Sequence, residues 1–163
     1  LNVNPFKYSG LVVSSTRIRK LLEKGNVELA NKLLSRTWSV DGNVIAGKKV
    51  GRKLGYRTCN IKIINYVIPK SGIYAVKIKI GNKAKKYGGV AYLGSRPTFN
   101  GNEIFLEINI FNLNKNLYKK KLRIYFLKFL RNDKKFKDST SLIQQMKKDI
   151  ISAKKGLKLK LVL

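Results

Sequence analysis

Six short segments in which apolar and polar residues alternate constrain the fold of this chain more than any other feature. Clusters of Gly, Asn, Pro or Lys separate them, and no long helical pattern lies between them. Strands joined without helices pair antiparallel, and a set of this size without a repeat indicates a small closed barrel. Five of them are candidate strands, Trp38–Ala46, Ile73–Ile80, Tyr87–Leu93, Ile104–Phe111 and Leu122–Leu130, and Thr58–Ile64 is a further candidate extended segment, which makes five or six strands in all.

Three helices are predicted outside these segments. Ser14 and Ser15 are typical N-cap residues for a helix over 16–24, which Gly25 ends, and a second helix follows over 27–34. The last helix covers 139–155, with Asp138 or Ser139 as its cap. Its apolar positions share one face, so we expect it to pack on the outside of the barrel; they are Leu142, Met146, Ile150 and Ala153.

Composition narrows the class of protein. The 163 residues are enough for one full domain, and 36 Lys and Arg against 8 Asp and Glu give a formal net charge of +28. A basic barrel that binds nucleic acid is therefore one alternative. The cations are spread along the whole chain, so we do not expect a specific nucleic-acid partner. No apolar run reaches the length of a membrane span, so no membrane partner is expected. The lone Cys59 excludes an internal disulfide and indicates a cytoplasmic protein.

The absence of histidine restricts the chemistry. No histidine triad or zinc site is possible, so a general base near neutral pH comes from the short set of carboxylates or from an activated Lys, Tyr or Cys. Most of these acids fit structural roles, with Asp41 in a turn, Glu103 in the turn before a strand, Asp138 as a cap and Asp149 on the stripe of the last helix.

Glu107 is the candidate catalytic acid. Its strand has one apolar face, formed by Ile104, Leu106, Ile108 and Ile110. Glu107 lies on the other face, where Phe105, Asn109 and Phe111 flank it. This arrangement suits the floor of an active site, and equally a solvent face on which the glutamate pairs with a lysine.

The segment 42–60 carries the second candidate site. Four glycines and several cations follow a short apolar strand and lead to Thr58 and Asn60, whose i, i+2 spacing points both side chains the same way. Glycines allow a backbone to approach phosphates closely, and hydroxyl and amide oxygens suit Mg²⁺. The spacing matches neither a Walker loop nor a dinucleotide fingerprint, and a Gly-rich hairpin turn is the alternative.

These motifs together resemble riboflavin kinase. The series Gly42-x-Val44…Gly47…Gly51-Arg52-Lys53-Leu54-Gly55-Tyr56-Arg57-Thr58-Cys59-Asn60 is similar to the signature loop of that family. Further similarities follow in the family's order, and the resemblance runs from about Trp38 to Ala153. They are Gly72-Ile73-Tyr74-Ala75-Val76, the turn Leu93-Gly94-Ser95-Arg96-Pro97-Thr98-Phe99, Leu106-Glu107-Ile108-Asn109, Asn116-Leu117-Tyr118 and Phe129-Leu130-Arg131-Asn132-Asp133-Lys134-Lys135-Phe136.

The resemblance implies a fold, a reaction and roles for residues. The fold is mainly β, a six-stranded antiparallel Greek-key barrel with the C-terminal helix outside and two short N-terminal helices before it. The reaction is transfer of the ATP γ-phosphoryl group to the terminal ribityl hydroxyl of riboflavin, with FMN and ADP as products and Mg²⁺ as cofactor. The implied roles are Glu107 as catalytic base, Thr58 and Asn60 as ligands of the metal and the nucleotide, Gly47, Gly51 and Lys53 as the flap over ATP, and Arg131 and Phe136 as the loop over the flavin.

The N-terminal residues extend the resemblance to bacterial bifunctional FAD synthetases. The segment 13–19 and the run 25–36 resemble the end of the FMN adenylyltransferase domain and the helix that follows it in those enzymes. We therefore expect 1–36 to be the remnant of that domain plus a linker helix, 37–156 the kinase barrel and helix, and 157–163 a basic, apolar tail. The rest of the adenylyltransferase domain, and its activity, is expected to be missing from this chain.

Several positions depart from the family pattern. Arg57 stands where the motif has proline, which would fix φ and stiffen the loop that presents Thr58 and Asn60. Cys59 replaces a common alanine, and Asp133 replaces a glutamate. None of these changes removes a proposed ligand or the proposed base. They leave a catalytically weakened flavin-binding relic as a second alternative.

Overall fold

Six antiparallel strands close into a barrel in the computed structural model, which describes residues 4–47, 51, 55–98 and 101–159. In chain order the elements are β1 (Lys7–Tyr8), β2 (Leu11–Val12), α1 (Ser15–Glu23), α2 (Val27–Leu34), β3 (Ser39–Ile45), β4 (Thr58–Lys62), β5 (Gly72–Ile80), β6 (Lys86–Thr98), β7 (Gly101–Ile110), β8 (Lys121–Arg131) and α3 (Ser139–Gly156). The barrel order is β3-β4-β7-β6-β5-β8, so the mainly β fold predicted from the sequence is confirmed.

Most element boundaries agree with the alternation pattern to within one or two residues, and three features differ. Strand β7 begins at Gly101, three residues before the predicted Ile104. Strand β6 does not end at Leu93 but continues to Thr98, because it pairs with β7 as far as Thr98 opposite Gly101. The segment 93–98 is therefore strand, although Gly94 and Pro97 suggested a turn. The β1–β2 hairpin was not predicted, since each of its strands is only two residues long.

The barrel interior is filled by the inward half of each alternating strand. Phe126 is fully buried there, with its ring centroid 4.9 Å from that of Trp38 and 5.0 Å from that of Tyr74. Tilted and edge-on rings of this kind add to the stabilisation from apolar burial. The largest fully buried side chains are Tyr74, Phe126, Leu22, Ile61, Ile78, Leu93, Leu106, Ile108, Leu122, Ile124, Val27 and Val40.

The two N-terminal helices share this core. Leu22, Val27 and Ala30 are almost completely buried in the same apolar cluster as the barrel interior. One amide fixes α2 to the barrel, because Asn31 Nδ2 donates to the Phe126 carbonyl at 2.8 Å and Asn31 Oδ1 accepts from the Trp38 N–H at 2.7 Å. The division of the chain at residue 36 remains a prediction, and these helices pack as part of one structure with the barrel.

Helix α3 lies on the outside of the barrel, as the sequence predicted. The Asp138 carboxylate caps it by accepting the Ser141 N–H at 2.8 Å. Ala153 and Leu157 pack against Ala75, which points outward from β5. Within the described parts of the chain, no helix is both long enough and apolar enough to cross a bilayer.

We expect Leu22→Ala to destabilise the whole protein in a single unfolding transition, because Leu22 of α1 is 1% exposed within the barrel's own core. A large-to-small change at a fully buried leucine costs about 2–5 kcal/mol. Urea denaturation followed by both circular dichroism and Trp38 fluorescence measures this. Ile151→Ala, at a site 46% exposed on α3, is the control and should change stability little. A separate early transition in Leu22→Ala would show that α1 and α2 fold independently of the barrel.

Candidate active site

The outer face of β4 and β7 carries a row of polar side chains. In the antiparallel register Thr58 lies opposite Asn109, and Asn60 lies opposite Glu107. Residues that face each other across two such strands point to the same side of the sheet. Ile61, Leu106 and Ile108, at the alternate positions, are fully buried inside the barrel. The four polar residues therefore share the outer face, as the spacing of Thr58 and Asn60 and the position of Glu107 predicted.

A hydrogen bond joins the two candidate sites found in the sequence. The Thr58 hydroxyl donates to Glu107 Oε1, with the two oxygens 2.6 Å apart. Because the hydroxyl proton is directed at Glu107, the lone pairs of Thr58 Oγ1 are left to accept from, or coordinate, another group. Both residues are half-buried, so the pair is shielded from water and still accessible to a ligand.

Two glycines of the loop between β3 and β4 pack directly on this polar row. A Cβ atom on Gly47 would stand 2.0 Å from Asn60 Nδ2, and one on Gly51 would stand 2.8 Å from the Tyr56 carbonyl oxygen and 3.0 Å from Thr58 Oγ1. Any side chain at either position would displace Asn60 or Thr58. Glycine is thus needed here for close approach. Lys53, the third residue predicted for this flap, lies outside the described residues.

The first of two cavities opens beside Gly47. It encloses about 510 Å³ and is lined by Gly47, Thr58 and Asn60 together with apolar side chains such as Ile108 and Leu117. Its charged lining residues are Arg57 and Lys115, and no described carboxylate lines it. This cavity suits an anionic ligand.

The second cavity lies between the barrel, α3 and the segment after β8. It encloses about 270 Å³ and contains Thr58, Glu107, Arg131 and Phe136 in its lining. Apolar side chains form its other wall: Ile73, Val90, Leu142, Met146 and Ile150. Thr58 therefore lies between the two cavities, and every site residue predicted from the sequence except Lys53 lines one or both of them. Gly51 also lines the second cavity.

Arg131 is held in place by Asp149 of α3. Arg131 Nε and Nη2 donate to the two carboxylate oxygens of Asp149 at 2.8 and 2.7 Å, and Asp149 is only 5% exposed. Gln145 Nε2 also donates to Asp149, at 3.0 Å. The Arg131 guanidinium carbon lies 5.9 Å from the centroid of the Phe136 ring. The sequence signal for this contact was Asp149, an acid on the otherwise apolar stripe of α3. The sequence could not identify Arg131 as its partner.

Tyr92 and Asp133 line the second cavity and were not assigned a site role from the sequence. Tyr92 lies opposite Glu107 in the β6–β7 register, and its hydroxyl donates to Asp133 Oδ2 at 2.8 Å. Burial, together with the Asp133 carboxylate, raises the pKa of Tyr92 to about 12, so its proton is retained at neutral pH. The outward position of Tyr92 in its strand was the only local signal.

Two other acids lie in places the sequence did not predict. Asp41 is inside β3 rather than in a turn, and both of its carboxylate oxygens accept from Arg123 of β8 at 2.6 and 2.7 Å. The Arg123 hydrogen bonds hold the pKa of Asp41 below its ordinary value. Glu103 is in β7 rather than in the turn before it, and lies 3.3 Å from Lys62 Nζ. Neither acid lines a cavity described above.

Comparison with known proteins identifies the family. The family model described as "Flavokinase: Riboflavin kinase" matches residues 34–157. The chain is 41% identical over 145 residues to a bifunctional riboflavin kinase/FMN adenylyltransferase of Buchnera aphidicola subsp. Schizaphis graminum, covering 88% of this chain and 46% of the relative. It is 37% identical over 141 residues to the Bacillus subtilis protein of the same name, covering 84% of this chain and 44% of the relative. The chain belongs to the riboflavin kinase family, and it spans a little under half the length of these relatives.

Two solved structures share the fold. A Streptococcus pneumoniae protein described as a macrolide-efflux protein superposes with a TM-score of 0.86 at 34% identity, over 93% of this chain and 50% of that one. The riboflavin kinase of Trypanosoma brucei superposes with a TM-score of 0.54 at 18% identity, over 74% of this chain and 76% of that one. At 18% identity the second likeness supports the fold alone.

We expect Asp149→Ala to be strongly destabilising, because it leaves the Arg131 guanidinium, 22% exposed, without its carboxylate partner. Breaking a buried ion pair by removing one side costs about 3–5 kcal/mol. Asp41→Ala removes an equally well-formed pair in which Arg123 is 50% exposed, and its cost should be a small fraction of that value. Urea titrations of the two variants measure the difference. Equal losses of stability would contradict the burial argument.

Proposed function

We propose that this chain is a riboflavin kinase that transfers the γ-phosphoryl group of ATP to the terminal ribityl hydroxyl of riboflavin. The observation that carries the proposal is the position of Thr58, which lines both cavities and donates to Glu107 at 2.6 Å. A phosphoryl donor in the first cavity and an alcohol acceptor in the second would meet at this pair. Membership in the riboflavin kinase family supports the assignment.

The first cavity suits ATP. Its charged lining residues are Arg57 and Lys115, which attract phosphates, and Gly47 allows the backbone to come close to Asn60. We assign Thr58 and Asn60 to the phosphates, and Gly51, which packs on Thr58, to the flap over the nucleotide. The assignment of Lys53 to the same flap rests on the resemblance of its motif to that of the family.

The second cavity suits a flavin. An isoalloxazine ring is planar and largely apolar, and the cavity offers an apolar wall from Met146 and Ile150 of α3 with Phe136 at its edge. Asp149 of α3 fixes Arg131 at the end of β8, and the Arg131 guanidinium lies beside the Phe136 ring. The ribityl chain would then extend toward Glu107.

Glu107 is assigned as the general base. With no histidine in the chain, it is the carboxylate that lies within hydrogen-bond distance of the group shared by both cavities. The proton of the acceptor hydroxyl passes to Glu107 as that oxygen attacks the γ-phosphorus. The bond between the γ-phosphorus and the bridging oxygen breaks, and ADP leaves with the electron pair. Phosphoryl transfer of this kind depends mainly on positioning and charge neutralisation.

The residues present fit a divalent cation, which we propose to be Mg²⁺. Thr58 Oγ1 keeps its lone pairs because its proton is directed at Glu107, and Asn60 supplies an amide oxygen. The described residues contain no group of three or more His, Cys, Asp and Glu side chains able to form a complete metal cage. That composition suits Mg²⁺, which takes one or two protein oxygens together with phosphate oxygens and water. When bound, the cation would neutralise phosphate charge.

The proposal covers the kinase reaction of these 163 residues. The curated relatives are about twice as long and are named for two activities, and we assign only the kinase half of that name to this chain. We further propose that this chain is joined, within a longer protein, to the remainder of an adenylyltransferase domain. We also propose that this protein acts in the cytoplasm. A nucleic-acid-binding role is not favoured, because the Glu107 carboxylate in the polar row of β4 and β7 would repel a phosphate backbone.

Incubation with riboflavin and Mg-ATP, with FMN scored by chromatography, tests the function directly. We expect FMN to form at a rate that rises with protein concentration and stops when EDTA removes the divalent cation. Flavin binding without FMN formation would support the weakened relic instead. Binding of RNA at physiological salt without flavin affinity would support the nucleic-acid alternative.

We expect Glu107→Gln to lower turnover by about 10²–10⁴-fold, the range for loss of a positioned general base, because the amide cannot accept the hydroxyl proton. Riboflavin and ATP should still bind. Glu103→Gln is the matched control, since Glu103 lies on the same strand and pairs with Lys62 away from both cavities. Its turnover should stay within about twofold of the unmodified chain. Similar kinetics for the two variants would contradict the assignment of the base.

We expect Thr58→Ala, Asn60→Ala and Gly47→Ala each to weaken Mg-ATP use, with turnover lower by about 10²-fold for the first two. Gly47→Ala should act through Asn60, because its new Cβ would occupy the position of the Asn60 amide. Gly156→Ala is the control, since a Cβ there meets Lys128 Cδ at an ordinary 3.7 Å. Steady-state kinetics with varied Mg-ATP measure all four. Unchanged kinetics in Asn60→Ala would remove Asn60 from the nucleotide site.

A further inference from the structure

The two cavities differ in the sign of their charged residues. The chain has 8 carboxylates and a net charge of +28, yet three of those carboxylates line the second cavity, those of Glu107, Asp133 and Asp149. The cationic residues in the described lining of the second cavity are Arg131, which is paired with Asp149, and Lys134. The first cavity has Arg57 and Lys115 and no described carboxylate. A very basic protein thus presents negative charge where the proposed flavin would bind.

Two hydrogen bonds orient the carboxylate of Asp133, which is an exposed residue. Its Oδ2 accepts from the Tyr92 hydroxyl at 2.8 Å, and its Oδ1 accepts from the Lys134 backbone N–H at 2.7 Å. Tyr92 is itself fixed, with its ring edge-on to Phe105 at 5.7 Å between centroids and its backbone opposite Glu107. Side chains opposite each other on antiparallel strands have Cβ atoms about 5 Å apart. The Asp133 carboxylate is therefore oriented by the neighbour of the proposed base.

We propose that Asp133, oriented by Tyr92, is a specificity determinant of the second cavity that disfavours an acceptor already bearing a phosphate. The proposal rests on the proposed function. Riboflavin is uncharged along its ribityl chain, whereas a phosphate monoester carries a charge of about −1.5 to −2 at neutral pH. The fixed carboxylates of Asp133 and Glu107 repel that group, so the cavity accepts riboflavin and releases FMN.

The same hydrogen bond could instead serve only to hold the segment after β8 over the cavity. Two substitutions separate the roles. Tyr92→Phe removes the hydrogen bond and leaves the carboxylate, whereas Asp133→Asn removes the charge and keeps an oxygen that can accept from Tyr92. Asp41→Asn makes the same change in net charge on β3, where Asp41 pairs with Arg123 outside both cavities.

The test is the ratio of the dissociation constants of FMN and riboflavin, measured by flavin fluorescence without nucleotide or divalent cation. In Asp133→Asn we expect FMN to bind more tightly relative to riboflavin by about three- to tenfold, as for loss of one partly screened charge. The ratio should stay within about twofold in Asp41→Asn. It should change less in Tyr92→Phe than in Asp133→Asn, because Tyr92→Phe removes the hydrogen bond that orients Asp133 and leaves its charge in place. Raising the salt concentration to about 0.5 M should remove most of the Asp133→Asn effect, since screening shortens the range of the repulsion.

An unchanged ratio in Asp133→Asn, or the same change in Asp41→Asn, would overturn the proposal. An equal change in Tyr92→Phe would assign the effect to the position of the segment rather than to the charge of Asp133. Failure of the unmodified chain to bind either flavin would overturn the proposed function and this inference together. Binding of both flavins with no change in their ratio would overturn the inference alone.

Discussion

The pairing of β4 with β7 is the constraint on which the site depends. Strand β4 pairs with β7 along its whole length, from Thr58 to Lys62, but with β3 only at Asn60 and Ile61. The position of Thr58 relative to Glu107 is therefore fixed by one backbone ladder. The glycines at 47 and 51 then pack onto that polar row, and α3 and Arg131 enclose its far side. A strand of five residues thus connects a cavity with cationic lining residues to one that has an apolar wall and three carboxylates.

Local periodicity explains why much of this could be predicted from the sequence. Alternation of apolar and polar residues identified the strands of the barrel and placed Glu107 on the face opposite Leu106 and Ile108. The i, i+2 spacing of Thr58 and Asn60 needed only an extended backbone. Because the chain contains no histidine, its few carboxylates became the main candidates for a general base. The roles given to Arg131 and Phe136 came from resemblance, and the structure shows where these side chains lie.

The contacts that could not be predicted are those between residues distant in the chain. Tyr92 and Asp133 meet across 41 positions, and Arg131 and Asp149 meet between a strand end and a helix. No local pattern specifies such a pair. Asp41 followed by Gly42 is an ordinary turn signal, but Arg123 on the adjacent strand binds both carboxylate oxygens and the segment remains extended. Likewise, pairing with β7 continues β6 through Gly94 and Pro97.

Because the polar row lies on the outside of the barrel, an error in strand register would disrupt the polar row and the core together. Along β7, residues of the core and of the site alternate, so Leu106 and Ile108 point inward while Glu107 and Asn109 point outward. A shift of one residue in the β4–β7 ladder would turn the Glu107 carboxylate into the apolar interior and bring Ile108 to the surface. Burying an unpaired carboxylate is far too costly to be tolerated. Every molecule of this chain that folds stably therefore has the face proposed as catalytic correctly oriented, so the same alternation of residues determines stability and the proposed activity.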